Sequence, residues 1–305
     1  TVKSRRQIFN NLRADCVKNC YIMNTPIEEC RKRLEERNNS EYSNKIPVEA
    51  LERYHKSFEI PFIDEGWDFI TIDHEPEYEY SCKWQEGVLN IAKDFDQHNM
   101  HHTKNLSDHM QDVGNRTYTL LHQARSDAKE YNTIVTLSGY WHDIGKLFTQ
   151  TYKENDPNAH YYNHANVGAY SLLCNSGIYE AQESPIEGEP DWIRFNLDKT
   201  LEWLFYVNYH MHMYNLKTEK SISKWKSIFG ETKYFELKNF EVNFVINKGS
   251  ISYYILTAYS IDDEDKRYKK KGIKRNHKLI FIWVIFFCIQ DGFWGLCASH
   301  IIHND

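Results

Sequence analysis

Histidine and aspartate stand side by side at His142 and Asp143, within Tyr140-Trp141-His142-Asp143-Ile144-Gly145-Lys146. Neighbouring backbone positions there offer an imidazole nitrogen and a carboxylate oxygen. Both reach one divalent cation if a third histidine closes from another helix. A histidine-rich segment upstream supplies that third group: Asp96-Gln97-His98-Asn99-Met100-His101-His102-Thr103, then Asp108-His109. His102 is the choice for it, with His98, His101 and His109 as close competitors. His109 lies two helical turns beyond His102 and near the same face, which reads as a neighbour of the site. The plainer readings are a surface histidine for each of these, and a hydrogen-bonded core pair for His142 and Asp143.

Local patterning indicates how such groups are positioned. Residues 84–95 read as an entry helix, Gln97-His98-Asn99 as a turn, and a helix starts near Thr103. Residues 133–141 are apolar enough for a buried helix, which delivers His142 and Asp143 at its C-terminal end. Nearer the start, residues 18–25 read as a short strand ending in a turn. Residues 26–38 read as a helix, with Thr25 as N-cap, Pro26 at the first helical position, and Glu28 and Glu29 at the positive end of the dipole. Residues 47–58 form a second helix opened by proline, and residues 67–73 alternate like a strand. Strand, helix, helix, strand describes an α/β layer.

Composition allows real cores: 305 residues, 41% apolar and 15% aromatic, suit two domains of ordinary size. A net charge of -6 gives no global pull toward nucleic acid or an anionic membrane. Seven scattered cysteines without a CxxC pair, and no secretory leader, point to a reducing, cytoplasmic compartment.

Four ordered pieces carry a family resemblance: the histidine segment, the His142-Asp143 pair with Gly145 and Lys146, Asn163-His164-Ala165-Asn166-Val167-Gly168-Ala169, and Tyr209-His210-Met211-His212-Met213. Together they resemble the HD-domain metal-dependent phosphohydrolases, whose segments read "GHExxGA" and "yHm" at the last two places. The resemblance implies an all-α domain over residues 84–265. It implies one or two divalent metal ions (Mn, Fe, Ni, Co, Mg or Zn) held by His102, His142, Asp143, His164, His210 and a late aspartate. Members with the added histidines hold two ions rather than one. Asp143 and Lys146 take the catalytic roles, Lys146 by orienting a substrate phosphate; its plainer reading is a helix-end lysine on the last carbonyls. Asp262 is the candidate for the late aspartate, with Asp263 and Asp265 beside it, and an exposed acidic turn is the alternative reading. His160 is a candidate for facing the substrate, and His212 ranks below His210.

The first eighty residues carry a second resemblance. "TPIEECRKRLEERN", "IPVEALERYHKSFEIP" and "EGWDFI" look like the C-terminal half of a P-loop polynucleotide kinase, an AAA-type ATPase. This implies that Arg31, Arg33 and Arg37 form a nucleotide-phosphate lid, a role suited to permanently charged, forked guanidinium groups. On spacing alone they are the solvated face of a surface helix. No GxxxxGK[ST] loop occurs in the chain. The expectation is therefore a partial kinase half, truncated at its N-terminus, with no kinase activity and with ATP as a partner only if the missing half is present.

The expected organisation is mainly α: residues 1–80 a partial kinase-like α/β remnant, 84–265 the HD domain, and 266–305 a basic then apolar tail. The apolar run at 279–289 is shorter than the ~20 residues a membrane helix needs, and no membrane span is expected. The expected activity is hydrolysis of a phosphoester of a nucleotide or a nucleic-acid end. It would belong to a kinase and phosphatase end-repair pair. The alternative is a non-catalytic nucleotide- or nucleic-acid-binding module.

Overall fold

An α/β layer opens the chain, and helices carry most of the rest. The structure is a computed structural model. It describes residues 1–13, 15–41, 44–98, 104–124, 129–182, 191–194, 196–240, 253–255 and 284–286. Helix α1 (Val2–Asn11) precedes strand β1 (Asn19–Ile22), helices α2 (Ile27–Asn39) and α3 (Val48–Lys56), and strand β2 (Phe69–Ile72). β1 and β2 pair in parallel, Asn19 opposite Phe69 and Ile22 opposite Ile72. A parallel pair needs a crossover, and the two helices supply it. The elements match the sequence reading to within a few residues. One difference is local: α2 begins at Ile27, with Pro26 at the cap. Thr25 does not cap it by side chain; its carbonyl instead accepts from the Tyr170 hydroxyl at 2.6 Å.

Helices α4 (Tyr78–Lys93), α5 (Leu106–Ala124) and α6 (Lys129–Trp141) follow, then a 3-10 helix (Ile144–Phe148). A short antiparallel hairpin, β3 (Gln150–Tyr152) with β4 (Ala159–Tyr161), leads into α7 (His164–Asn175). A second hairpin, β5 (Tyr179–Gln182) with β6 (Asp191–Arg194), leads into α8 (Leu197–Tyr209). A single turn, α9 (His212–Asn215), and helices α10 (Glu219–Phe229) and α11 (Glu231–Phe240) complete this part. Gly230, at φ 89°, breaks α10 from α11 in a conformation that L side chains rarely adopt. α4 starts six residues earlier than the apolar pattern suggests: Tyr78 to Lys83 add its first turns, with Ser81 buried and Glu79, Tyr80, Cys82 and Lys83 exposed.

Two compact units result, Thr1–Val245 and Ile246–Asp305. In the second, β7 (Tyr253–Ile255) pairs antiparallel with β8 (Val284–Phe286), which lies within the apolar run at 279–289. In the first, one buried cluster takes Ile22, Ile60 and Phe62 from the opening α/β layer together with Leu106, Ile134, Leu172 and Trp203 from the helices. Phe62 sits 5.5 Å from the Phe205 ring and 5.1 Å from that of Phe229. Such aromatic pairs contribute about 0.5–1.5 kcal/mol each beyond burial. Among the described residues, no helix is long and apolar enough to cross a membrane.

Two close approaches position the polar centre. A Cβ on Gly145 would collide with the His164 carbonyl oxygen and stand 2.6 Å from Gly168 N; one on Gly168 would stand 2.9 Å from Gly145 N. Facing glycines thus let the 3-10 helix lie against the first turn of α7. At the second place a Cβ on Gly139 would come within 3.1 Å of Gly114 Cα, so α5 and α6 cross nearly backbone to backbone. Larger residues at either crossing would push the helices apart.

Candidate metal centre

α6 ends at Trp141, and the chain turns so that His142 and Asp143 face inward; His142 is fully buried and Asp143 nearly so. Among the described residues, four imidazoles surround that carboxylate. His109 Nε2 and His142 Nε2 each lie 3.2 Å from Asp143 Oδ2. His164 Nε2 lies 3.1 Å and His210 Nε2 3.6 Å from Oδ1. His109 comes from α5, His164 is the first residue of α7, and His210 caps the end of α8. Lys146 Nζ reaches Oδ2 at 2.7 Å and also donates to Gln97 Oε1 at 2.8 Å.

Three of the imidazoles are held the same way. Nδ1 of His142, His164 and His210 lies 2.8 Å from the carbonyl oxygens of Gly139, Tyr161 and Val207 respectively. A carbonyl oxygen only accepts, so each Nδ1 carries the proton and donates it. That fixes each ring and turns the Nε2 lone pair of a neutral ring toward Asp143, as in histidines that bind metals. Burial pushes His210 down to about 4 and lowers His142 from its ordinary value, so both rings are neutral near pH 7. Burial by itself would raise the Asp143 carboxyl. The Lys146 ammonium and a hydrogen bond from His109 reverse this and hold it well below the usual carboxylate range. With His142 neutral, Lys146 is the lasting positive charge beside it.

Among the described residues, acceptors crowd together here. His142 Nε2 is buried and has no hydrogen-bond partner. His164 Nε2 and His210 Nε2 face each other at 3.2 Å, with Oδ1 beside both. Two lone pairs and a carboxylate at that separation repel unless a cation or a proton lies between them. The donor atoms form two groups, His109, His142 and Asp143, and Asp143, His164 and His210, each with its ligand atoms within 4.8 Å of one another. The residues therefore fit a divalent cation. Imidazole with carboxylate suits several transition ions and selects none of them.

Of the residues singled out in the sequence, His142, Asp143, Lys146, His164 and His210 come together. His102 and Asp262, with His101, Asp263 and Asp265, lie outside the described residues. His109, read as a neighbour of the site, lies beside Asp143 itself. The signal for it was the face of α5: Leu106, Met110, Val113 and Thr117 are buried at helical spacing, and His109 falls on that stripe. Gln97, which holds Lys146, had no such signal. His160 pairs with Asp156 at 2.8 Å, and His98 lies exposed, 3.4 Å from Asp96. His212 accepts from Trp225 Nε1 at 3.1 Å and sits apart from the cluster.

The α2 arginines face other partners. Arg31 pairs with Glu52 at 2.8 Å and Arg33 with Glu29 at 2.9 Å, both at the surface. Arg37 lies in the last turn of α2. Arg31 and Glu52 also line a cleft of about 750 Å³ between α2, α3, α4 and α7, floored by Trp84 and Tyr170.

Comparisons with protein-family models, with curated proteins and with solved structures returned no match.

Proposed function

We propose that this protein is a metal-dependent phosphohydrolase of the HD-domain type. Its substrate would be a phosphoester of a nucleotide or of a nucleic-acid end. The observation that carries the reading is the arrangement at Asp143: among the described residues, each carboxylate oxygen faces two histidine Nε2 atoms, and three of those rings are locked by carbonyls behind them. The ordered sequence pieces that resemble the HD family support it as well. His109, His142, Asp143, His164 and His210 would hold a divalent cation, which when bound would supply Lewis acidity toward water and phosphoryl oxygen.

The chain's own residues do the rest. Asp143 supplies the negative charge that offsets a cation, and its low proton affinity keeps it ionised. The rings of His142, His164 and His210 present fixed lone pairs, so little reorganisation accompanies binding. Lys146, anchored by Gln97, places a positive charge where phosphate oxygens arrive. Nucleic-acid end processing, and partnership with a kinase, rest on the resemblance of residues 1–80 to polynucleotide kinases, an analogy between neighbouring segments.

The test is hydrolysis of p-nitrophenyl phosphate and of 2′,3′-cyclic and 3′-phosphate nucleotides with added Mn, Ni, Co, Mg or Zn. Metal-dependent release in the wild type that vanishes in Asp143→Ala is expected. Depth favours a second reading: His142 and His210 are fully buried, and structural metal sites are closed whereas catalytic ones keep an open position. In that reading the module binds its metal, and a nucleotide or nucleic acid, without turnover. Bound metal with no hydrolysis of any of these substrates would select it.

A further inference from the structure

His164 and His210 come from helices α7 and α8, yet one three-residue segment of the opening α/β layer is bonded beside both. Asn166, two residues after His164, donates from Nδ2 to the Phe58 carbonyl at 2.7 Å. Asn208, two residues before His210, accepts the Ile60 amide at Oδ1 at 2.6 Å, in a buried position. Phe58 and Ile60 lie two residues apart on non-helical chain, so they fix two points no more than ~7 Å from each other. The segment is itself pinned. Arg5 donates to the carbonyls of Glu59 at 2.8 Å and Ile60 at 3.3 Å, and forms an ion pair with the buried Glu65 at 2.7 Å. Tyr209, adjacent to His210, donates its hydroxyl to the Ile60 carbonyl at 3.4 Å. Ile60 is fully buried, and Phe62 beyond it enters the aromatic core.

We propose that residues 58–60 are a strut that sets the separation of His164 and His210, and that Asn166 and Asn208 are its positioning residues. The inference rests on the metal-centre reading and adds that the opening layer tunes one side of that centre. A cation at Oδ1 needs both Nε2 atoms at fixed distances from the carboxylate, and a shift of either helix end by a fraction of an ångström changes that geometry. The Oδ2 side is placed differently: His109 and His142 ride on α5 and α6, whose approach runs through Gly114 and Gly139. Loosening the strut should therefore weaken one cation position and spare the other. Groups that orient metal-binding side chains from behind commonly change affinity by about 10- to 100-fold.

The experiment is titration of the full chain, stripped by chelator, with Co²⁺, followed by calorimetry and by visible absorption. Wild type, Asn166→Ala and Asn208→Ala are compared, with His164→Ala and His142→Ala marking which cobalt equivalent depends on which side. Both asparagine variants should weaken the His164-dependent equivalent by about 10- to 100-fold and change its visible band. The His142-dependent equivalent should keep its affinity and spectrum. If Asn208→Ala does not fold, the half-buried Asn166→Ala carries the test. Unchanged cobalt binding in folded Asn166→Ala overturns the strut while leaving the metal centre standing. Equal weakening of both equivalents overturns it too, since that marks general loosening. A wild type that binds no Co²⁺ overturns the metal centre and the strut together.

Discussion

Two groups of ionisable residues stand out in this chain, and they meet opposite fates. On α2, Arg31 and Arg33 lie at the surface with carboxylates of Glu52 and Glu29 beside them, cation matched to anion in water. Around Asp143, polar atoms from α5, α6, α7 and α8 are withdrawn from water, and acceptors crowd one another. Surface pairs of the first kind contribute about 0–1 kcal/mol. A buried set of the second kind is costly unless something positive completes it. The difference teaches that spacing nominates residues, while burial together with imbalance of donors and acceptors marks where chemistry is poised.

The contrast breaks most decisively at Asp143. Asp143→Ala should abolish metal-dependent stabilisation, read as loss of the Tm rise on adding metal. In the wild type that rise should correspond to about 2.7 kcal/mol at a hundredfold excess over Kd. The same variant leaves Lys146 buried beside a vanished partner and should unfold about 3–5 kcal/mol more easily in the metal-free state. A metal-induced shift that survives the substitution would remove Asp143 from the centre.

Acid should act next most strongly. Burial holds His210 and His212 at about 4 in the folded chain, against 6.5 for the free side chain. The unfolded state therefore binds more protons between these values. Stability of the metal-free protein should be full above pH 6.5 and fall as pH descends toward 4, by up to about 3 kcal/mol for each group. Urea unfolding at pH 7, 6, 5 and 4 reads this, and a flat profile would mean that these rings are solvated.

Gly145→Ala sharpens the comparison from the backbone side. Its methyl meets the His164 carbonyl, which cannot rotate away, so α7 must move; a loss of about 1–3 kcal/mol and weaker metal binding are expected. Thermal melts with and without metal separate the two effects. The smallest change belongs to the surface group: Arg31→Ala and Arg33→Ala should each alter stability by less than about 0.5 kcal/mol and leave metal binding unchanged. A large effect of either would give that face a role its geometry does not suggest.

Much of the architecture was legible beforehand for local reasons. Proline at helix starts, β-type alternation and apolar runs mark β1, α2, α3, β2 and α6 within a few residues, because those signals act between near neighbours. Adjacent His142 and Asp143, with Gly145 and Lys146, announced a polar centre for the same reason. His109 was harder, since it is one of several histidines on a single stretch; the buried stripe of α5 singles it out only once α5 is packed. Gln97 was not legible at all, because its partner Lys146 lies 49 residues away and nothing in local spacing links them.

The sequence by itself determined which groups exist and on which short elements they ride: imidazoles, one carboxylate, one lysine, and the glycines that permit close packing. Tertiary structure alone decided that, among the described residues, four imidazoles share the two oxygens of Asp143, that three are locked through Nδ1, and that residues 58–60 bond to Asn166 and Asn208 beside His164 and His210. Those relations join residues far apart in the chain, and they depend on distances between helices. Such distances are set by burial and by the absence of Cβ atoms at Gly145, Gly168, Gly114 and Gly139, and no local periodicity encodes them.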